Sequence, residues 1–343
     1  MSNMLAESQE APARIQDLMA TDGELYRDLG ARLRKLNPAF VGTIARGSSD
    51  HAANYAAYLI PQCTGRVVAS IPPSVVTVLK SRLQLKDQFV LSISQSGESP
   101  DIVEGVGHAR AQGALTAAIV NVAGSPLTKT AEVVLPQRAG IETSVAATKT
   151  VLCTMASVAR IVGEWAEDAR LLSCLEALPE TLRQALASSA RLDEHIVTGV
   201  SDAFILSRSL GSSIALETAL KLKETCGLHA EGFSTAEVRH GPKEIVDDRY
   251  LIIALALPGS GGRDVVEAAL ELKAQGARVI VVGSKDVATS KVSFVTLPEV
   301  EDERLTPLVC LQLLLPWIAK ASNALGRNPD QPRYLKSKVV RTR

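Results

Sequence analysis

Three charged residues in the stretch IALETALKLKE (214–224), Glu217, Lys221 and Glu224, fall at i, i+4 and i+7. On an α-helix that spacing puts all three on one face, and the remaining faces here are apolar. The stripe reads in two ways: as a solvated row of ion pairs, or as an acid–base set held partly out of water. In a partly dry pocket a carboxyl pKa rises, so the group can move a proton at neutral pH. A neighbouring ammonium steadies charge that develops on an oxygen. Lys223 points elsewhere and reads as structural. Downstream, His240 in VRHGP precedes a Gly-Pro turn, where a lone histidine is ordinarily a structural residue. Glu237 and His240 at i, i+3 would suit a metal pair, but no further ligands accompany them, so metal and other cofactors are not expected. His51, His108, His195 and His229 have no constellation around them.

A second chemical signal lies in LSISQSGESPD (91–101). An apolar run ends in Ser94, Gln95, Ser96, Gly97 and Ser99, and Pro100 stops it. One reading is a turn in which Ser99 caps a helix, Pro100 takes its first position and Asp101 its first turn. The other is a phosphate cradle. A strand that ends in such a turn and opens into a helix presents backbone N–H groups at the positive end of the helix dipole. Serine hydroxyls and a glutamine amide add donors, and Gly97 lets the backbone approach a ligand. Capping explains Ser99 to Asp101 and leaves Ser94, Gln95 and Ser96 without a purpose. The two readings are compatible.

Positioning such groups takes a scaffold, and the chain has the material for one. Its 343 residues, 46% hydrophobic and 22% charged, suit two compact domains. A formal net charge of zero gives no global field for nucleic acid or an anionic membrane, so an anionic ligand needs a local site. The five cysteines are far apart and form no CxxC pair, which reads as buried free thiols in a reducing compartment. The N-terminus lacks a signal pattern. LVCLQLLLPWIAKA is interrupted by Gln312 and Pro316, so no membrane span is expected and the protein reads as cytoplasmic.

After a helical N-terminal segment (1–36), short apolar runs alternate with helix-period stretches: FVGTIA, QFVLSIS, ALTAAIVNV, EVVLP, then AFILSRS, YLIIALALP, ARVIVVG and VSFVTLP. Strands apolar on both faces, separated by helices, predict an α/β fold with parallel, helix-covered sheets. The two series also match each other. ARGSS aligns with SLGSS and ARAQGA with LKAQGA, at offsets of 164 (Gly211 against Gly47) and 163 (Gly276 against Gly113). A near-constant offset indicates an internal duplication. Where the first copy has SQSGES the second has LPGSGG, so only the first keeps the groups an anion needs.

Taken in order, SQSGES, SVAATK (144–149), ALETALKLKE, AEVRHGP and the tail DQPRYLKSK resemble the double sugar-isomerase (SIS) domain family. The likeness is to the isomerase half of glucosamine-6-phosphate synthase and to stand-alone glucosamine-6-phosphate deaminases. The resemblance implies two tandem flavodoxin-like units, at 37–190 and 191–325, and a lid tail at 326–343. It transfers sugar-phosphate binding to Ser49, Ser94, Gln95, Ser96 and Ser99, with Gly47 and Ser48 on the same turn. Val145 and Ala147 take positions that line the sugar pocket, and Glu217 is grouped with the substrate-binding residues. Ala147 and Ser48 differ from the family's serine and threonine there. Arg46, at the family's cysteine position, either helps hold phosphate or forms a surface ion pair. The resemblance makes Glu224 the base between C1 and C2, Lys221 its cationic partner and His240 the ring-opening group. His240 would come from a neighbouring subunit, which implies a homodimer. The lid lysine is Lys338, or Lys336 if the tail aligns differently.

Only about 36 residues precede the first unit, so no glutaminase is expected in front of it. The expected reaction is therefore breakdown of glucosamine 6-phosphate to fructose 6-phosphate and ammonia. The alternatives are aldose–ketose isomerisation or deglycation of another phosphosugar, and aminotransfer of the synthase kind. From a different class comes a sugar-phosphate sensor without turnover. The partner is in each case a phosphorylated hexose or hexosamine.

Overall fold

The computed structural model of the chain describes residues 1–259 and 261–335. It opens with helices α1 (Asn3–Ala20) and α2 (Gly23–Leu36). The sequence suggests a single helical segment here, but Asp22 divides it. That residue takes left-handed backbone (φ 58°) and its carboxylate accepts two hydrogen bonds from Arg138, at 2.7 and 2.8 Å. The first α/β series follows: β1 (Phe40–Ile44), α3 (Ser48–Thr64), β2 (Val67–Ser70), α4 (Pro73–Thr77), β3 (Phe89–Ser94), α5 (Pro100–Ala111), β4 (Leu115–Val120), α6 (Pro126–Thr130) and β5 (Val133–Pro136). Helices α7 (Lys149–Ala166) and α8 (Ala169–Ser188) lead to the second. That series comprises β6 (Asp202–Ser207), α9 (Ser212–Lys221), β7 (His229–Ser234), α10 (Thr235–Arg239), β8 (Tyr250–Ala256), α11 (Gly262–Ala274), β9 (Arg278–Gly283), β10 (Ser293–Thr296) and α12 (Thr306–Ala324).

Each series forms a five-stranded sheet, in the orders β2-β1-β3-β4-β5 and β10-β9-β8-β6-β7. Every pairing is parallel. Read from the opposite edge, the second order repeats the first, so the duplication inferred from sequence is present in the topology. It is the flavodoxin-like winding, in which ligands bind beyond the carboxyl ends of the strands.

Eight of the ten strands fall on the apolar runs. The other two, β2 and β7, are edge strands, each with one partner strand. HAEGFS is correspondingly polar and partly exposed, while VVAS is largely apolar but short and mostly exposed. The central strands β3, β4 and β8 are buried throughout because helices cover both faces.

The chain packs as two compact units that are discontinuous in sequence. One takes Ala13–Ile141 and Thr150–Glu176 and contains the first sheet. The other takes Met1–Pro12, Glu142–Lys149 and, among the described residues, 177–335, and contains the second. In the first, Val90, Ala118 and Val120 from the sheet pack with Ile102, Val106 and Ala109 of α5. In the second, Phe204 meets Phe233 and Tyr250 edge-on at 5.0 and 5.1 Å, with Val265 and Leu272 of α11 in the same cluster.

Gln312 and Pro316 do not interrupt α12, which runs through both and is buried almost end to end. It is the one helix among the described residues with the length and apolarity to cross a bilayer, and 94% of that window is buried within the protein. The Gln312 amide donates to the Ser8 carbonyl (2.9 Å), so its polarity is satisfied in the core. Four of the five free cysteines are buried as expected, while Cys63 is only partly so.

Candidate active site

In the first sheet's unit, the turns after β1 and β3 lie side by side because those strands are paired (Ile44 with Ser92). After β3, Ser94 is buried, Gln95, Ser96 and Ser99 are half-buried, and α5 starts at Pro100. The Ser94 hydroxyl accepts from the Gly97 N–H (3.0 Å) and the Ser96 hydroxyl from the Glu98 N–H (3.3 Å). These two amides, which the cradle reading offers to an anion, therefore shape the loop here. Each serine keeps its own hydroxyl hydrogen to donate. Ser99 occupies the N-cap position, yet its side chain makes no capping bond. Capping alone therefore does not account for it. Gly97 has φ +65°, and a Cβ there would come within 2.2 Å of Ser125 Oγ. The position admits only glycine without a shift.

After β1, Gly47 precedes α3, and the N–H groups of Asp50 and His51 turn back to its carbonyl. Those of Ser48 and Ser49 have no intrahelical acceptor. Arg46 takes its second alternative. Its Nε and a terminal nitrogen both sit 2.6 Å from one oxygen of Asp101, a nearly buried carboxylate in the first turn of α5. This pair ties the two turns together and offsets an acid that would otherwise repel a phosphate. Burial pushes the nearby Asp50 carboxyl upward, against the pull of His51 and Arg46.

In the second sheet's unit, α9 carries Glu217 and Lys221, and both are buried. Beyond Lys221 the helix widens into a π-helical turn, Leu222–Cys226, which carries Glu224. A regular α-helix with a 3.6-residue period, as the sequence suggests, stops short of this residue. Such π-turns inside α-helices gather at functional sites. Gly227, in left-handed backbone (φ 58°), ends the turn by donating to the Leu222 carbonyl. Thr225 Oγ1 donates to the Lys221 carbonyl (2.8 Å), and Ser322 of α12 donates to the Thr225 carbonyl (2.9 Å). Lys221 Nζ lies 2.6 Å from Glu224 Oε2 and 3.4 Å from Glu217 Oε1. Lys221 and Glu217 side chains are 1% exposed and Glu224 is 20% exposed, so of the three only Glu224 reaches toward solvent. Burial by itself would lower the lysine pKa. Glu217, Glu224 and Glu142 outweigh it and raise the value above that of a free lysine, so the ammonium is firmly charged.

Glu142 brings in the segment holding Val145 and Ala147, both half-buried. Its carboxylate accepts from the N–H (2.9 Å) and hydroxyl (3.1 Å) of Thr148. Glu7 of α1 takes the N–H (3.1 Å) and hydroxyl of Ser144 and the hydroxyl of Thr143 (2.8 Å). Glu10 takes the buried Lys149 ammonium at 2.7 Å. Sequence reading missed Glu7, Glu10 and Glu142. The signal was indirect: two acids on an otherwise unremarked N-terminal helix, and a third two residues before SVAATK.

His240 ends α10, exposed, with no side-chain hydrogen bond among the described residues. Among the described residues no hydrogen bond or ion pair joins it to the lysine cluster. Glu237 is occupied in a capping box with Ser234 at the start of the same helix. Lys223 is exposed. Lys336 and Lys338 lie outside the described residues.

Comparison with known proteins agrees with this architecture. The SIS domain model matches residues 41–162 and again 200–314. Glutamine–fructose-6-phosphate aminotransferase (isomerizing) from Methanothermobacter thermautotrophicus is 33% identical over 97% of this chain, which spans 56% of that relative's length. A chain from Silicibacter pomeroyi DSS-3, named for an inferred phosphosugar isomerase activity, superposes with a TM-score of 0.87 at 34% identity, covering 96% of this chain and all of that one. Glucosamine-6-phosphate deaminase from Thermotoga maritima shares the fold (TM-score 0.80, 20% identity, 98% and 99% coverage). With two matched modules, a duplicated topology and relatives spanning nearly its whole length, the chain belongs to the SIS domain family of phosphosugar isomerases.

Proposed function

We propose that the chain is an enzyme that deaminates an amino-sugar phosphate, converting glucosamine 6-phosphate and water to fructose 6-phosphate and ammonia. The observation that carries this reading is the Lys221–Glu224 pair at 2.6 Å, with Glu224 on a π-turn as the one partly exposed acid of a buried set. In the reading, the serine-rich turns bind the phosphate through Ser49, Ser94, Gln95, Ser96 and Ser99. His240 of a second copy opens the ring, which makes the working form a homodimer. Glu224 takes the proton from C2 and returns it to C1, turning the amino aldehyde into a ketimine that water hydrolyses. Lys221 is too deeply buried to meet the sugar directly. It serves as a positioning residue, fixing the carboxylate at 2.6 Å. Val145 and Ala147 line the sugar's approach, Glu217 balances the lysine beneath, and Lys338 contacts the open-chain carbonyl.

The test is ammonia release from glucosamine 6-phosphate with fructose 6-phosphate as co-product. Glu224→Gln should lower turnover by about 10²–10⁴-fold with substrate binding kept. If the purified protein yields neither product, or Glu224→Gln turns over normally, the proposal fails.

A second reading, the aminating direction, is favoured by the names of the curated relatives, which are aminotransferases 31–33% identical to this chain. Formation of glucosamine 6-phosphate from fructose 6-phosphate and free ammonia, at a rate exceeding deamination, would select it.

A further inference from the structure

The second sheet has a cavity at the carboxyl ends of its strands that the isomerase reading does not use. It has a volume of about 570 Å³, within the roughly 300–1,000 Å³ of small-molecule sites. We propose that it binds an unphosphorylated, hydroxyl-rich small molecule of sugar size.

The cavity lies beyond the carboxyl ends of β8, β9 and β10, the end of a parallel α/β sheet at which ligands bind, to one side of the switch point between β6 and β8. Pro258 follows β8, Ser284 follows β9, Leu297 and Pro298 follow β10, and Thr306 opens α12. The hydroxyl oxygens of Ser284 and Thr306 are both buried with no hydrogen-bond partner among the described residues. Thr306 is only 1% exposed. A hydroxyl left unpaired in a protein interior is costly, and two in the wall of one cavity are uncommon. A ligand bearing hydroxyls relieves both. The proline and leucine side chains supply an apolar wall of the kind that packs against the C–H face of a sugar ring.

The charges argue against a phosphate. Among the described residues Lys285 is the one cation lining the cavity, and it is accompanied by Asp286 and Glu299. The sequence after β8 has also lost most of the hydroxyl and amide groups that its counterpart keeps after β3. The ligand is thus neutral or amine-bearing, and hexose and hexosamine represent the two forms.

The test is calorimetric titration of the full chain with glucose and with glucosamine, with amide chemical shifts locating the site. The proposal expects saturable binding of at least one sugar, with shifts at Ser284, Val300 and Thr306. Thr306→Val and Ser284→Ala should each weaken it roughly tenfold. Both variants should melt at or above the wild-type temperature, because each removes a buried hydroxyl that bonds to nothing. No saturable binding, binding unchanged in both variants, or shifts confined to residues 94–99 would overturn the proposal. Glucosamine 6-phosphate shifting Ser284 and Thr306 as strongly as the free sugar would overturn the choice of ligand class. None of these outcomes bears on Glu224, whose test is turnover.

Discussion

Replacing Lys221 with methionine keeps the length of the side chain and removes one charge. In the folded chain that charge lies 2.6 Å from Glu224 and 3.4 Å from Glu217, with Glu142 adding to the field. Glu224 can turn toward water, being 20% exposed, whereas Glu217 at 1% cannot. The variant therefore strands a carboxylate in the interior without its cation. Removing one partner of a buried pair costs about 3–5 kcal/mol, against 0–1 kcal/mol for an exposed one. Urea denaturation should show a loss in the upper range. Adding Glu217→Gln to Lys221→Met removes the stranded charge and should recover most of that loss. Turnover should not recover, because Glu224 still lacks the ammonium that fixes it. This split between stability and activity separates a positioning lysine from a merely structural one. The reasoning is refuted if the single variant loses less than about 1 kcal/mol, or if the double variant is as unstable as the single.

Gly97→Ala should cost roughly 1–2 kcal/mol from the left-handed backbone alone, with the Ser125 contact added. Its effect on kinetics should appear mainly as a raised KM for the phosphorylated substrate, and an unchanged KM would count against the cradle. Glu7 sets an acid limit on stability. Burial pushes its carboxyl up, but hydrogen bonds from Ser144 and Thr143 outweigh this and hold it below its ordinary 4.5. Its contribution is therefore complete above pH 4.5 and is lost as the pH falls through the lowered folded value. Hydrogen exchange at Thr143 and Ser144 should accelerate in that window, and Glu7→Gln should abolish the pH dependence; an identical acid limb in the variant would remove Glu7 from the account.

Much of the fold was legible because its strands are buried on both faces. Val, Ile, Leu and Ala runs such as YLIIALA have no competing reading once helical stretches separate them. Strand β7 escaped for the same reason in reverse: as a partly exposed edge strand, HAEGFS needs no continuous apolar sequence. Asp22 was missed because left-handed backbone at an aspartate rests on a partner, Arg138, more than a hundred residues away. The apolar character of α12 was legible, but not its continuity through Pro316.

The candidate site divides along the same line. The cradle was readable since its groups are consecutive, and local hydrogen bonds among Ser94, Ser96 and the following amides follow from spacing. The acid–base set was readable only to the extent that α-helical geometry held. The sequence gives no period for a π-turn, because its widening depends on a hydroxyl at Thr225, a left-handed Gly227 and Ser322 arriving from α12. Those three residues satisfy the backbone groups that the wider turn exposes, and each is needed for a different one. If they hold Glu224 in place, then Ser322→Ala, ninety-eight residues downstream of the glutamate, should reduce turnover while leaving binding of the phosphorylated substrate intact. A fall in kcat with KM unchanged would mark the π-turn as part of the catalytic apparatus, and an unaltered kcat would show that Glu224 does not depend on it.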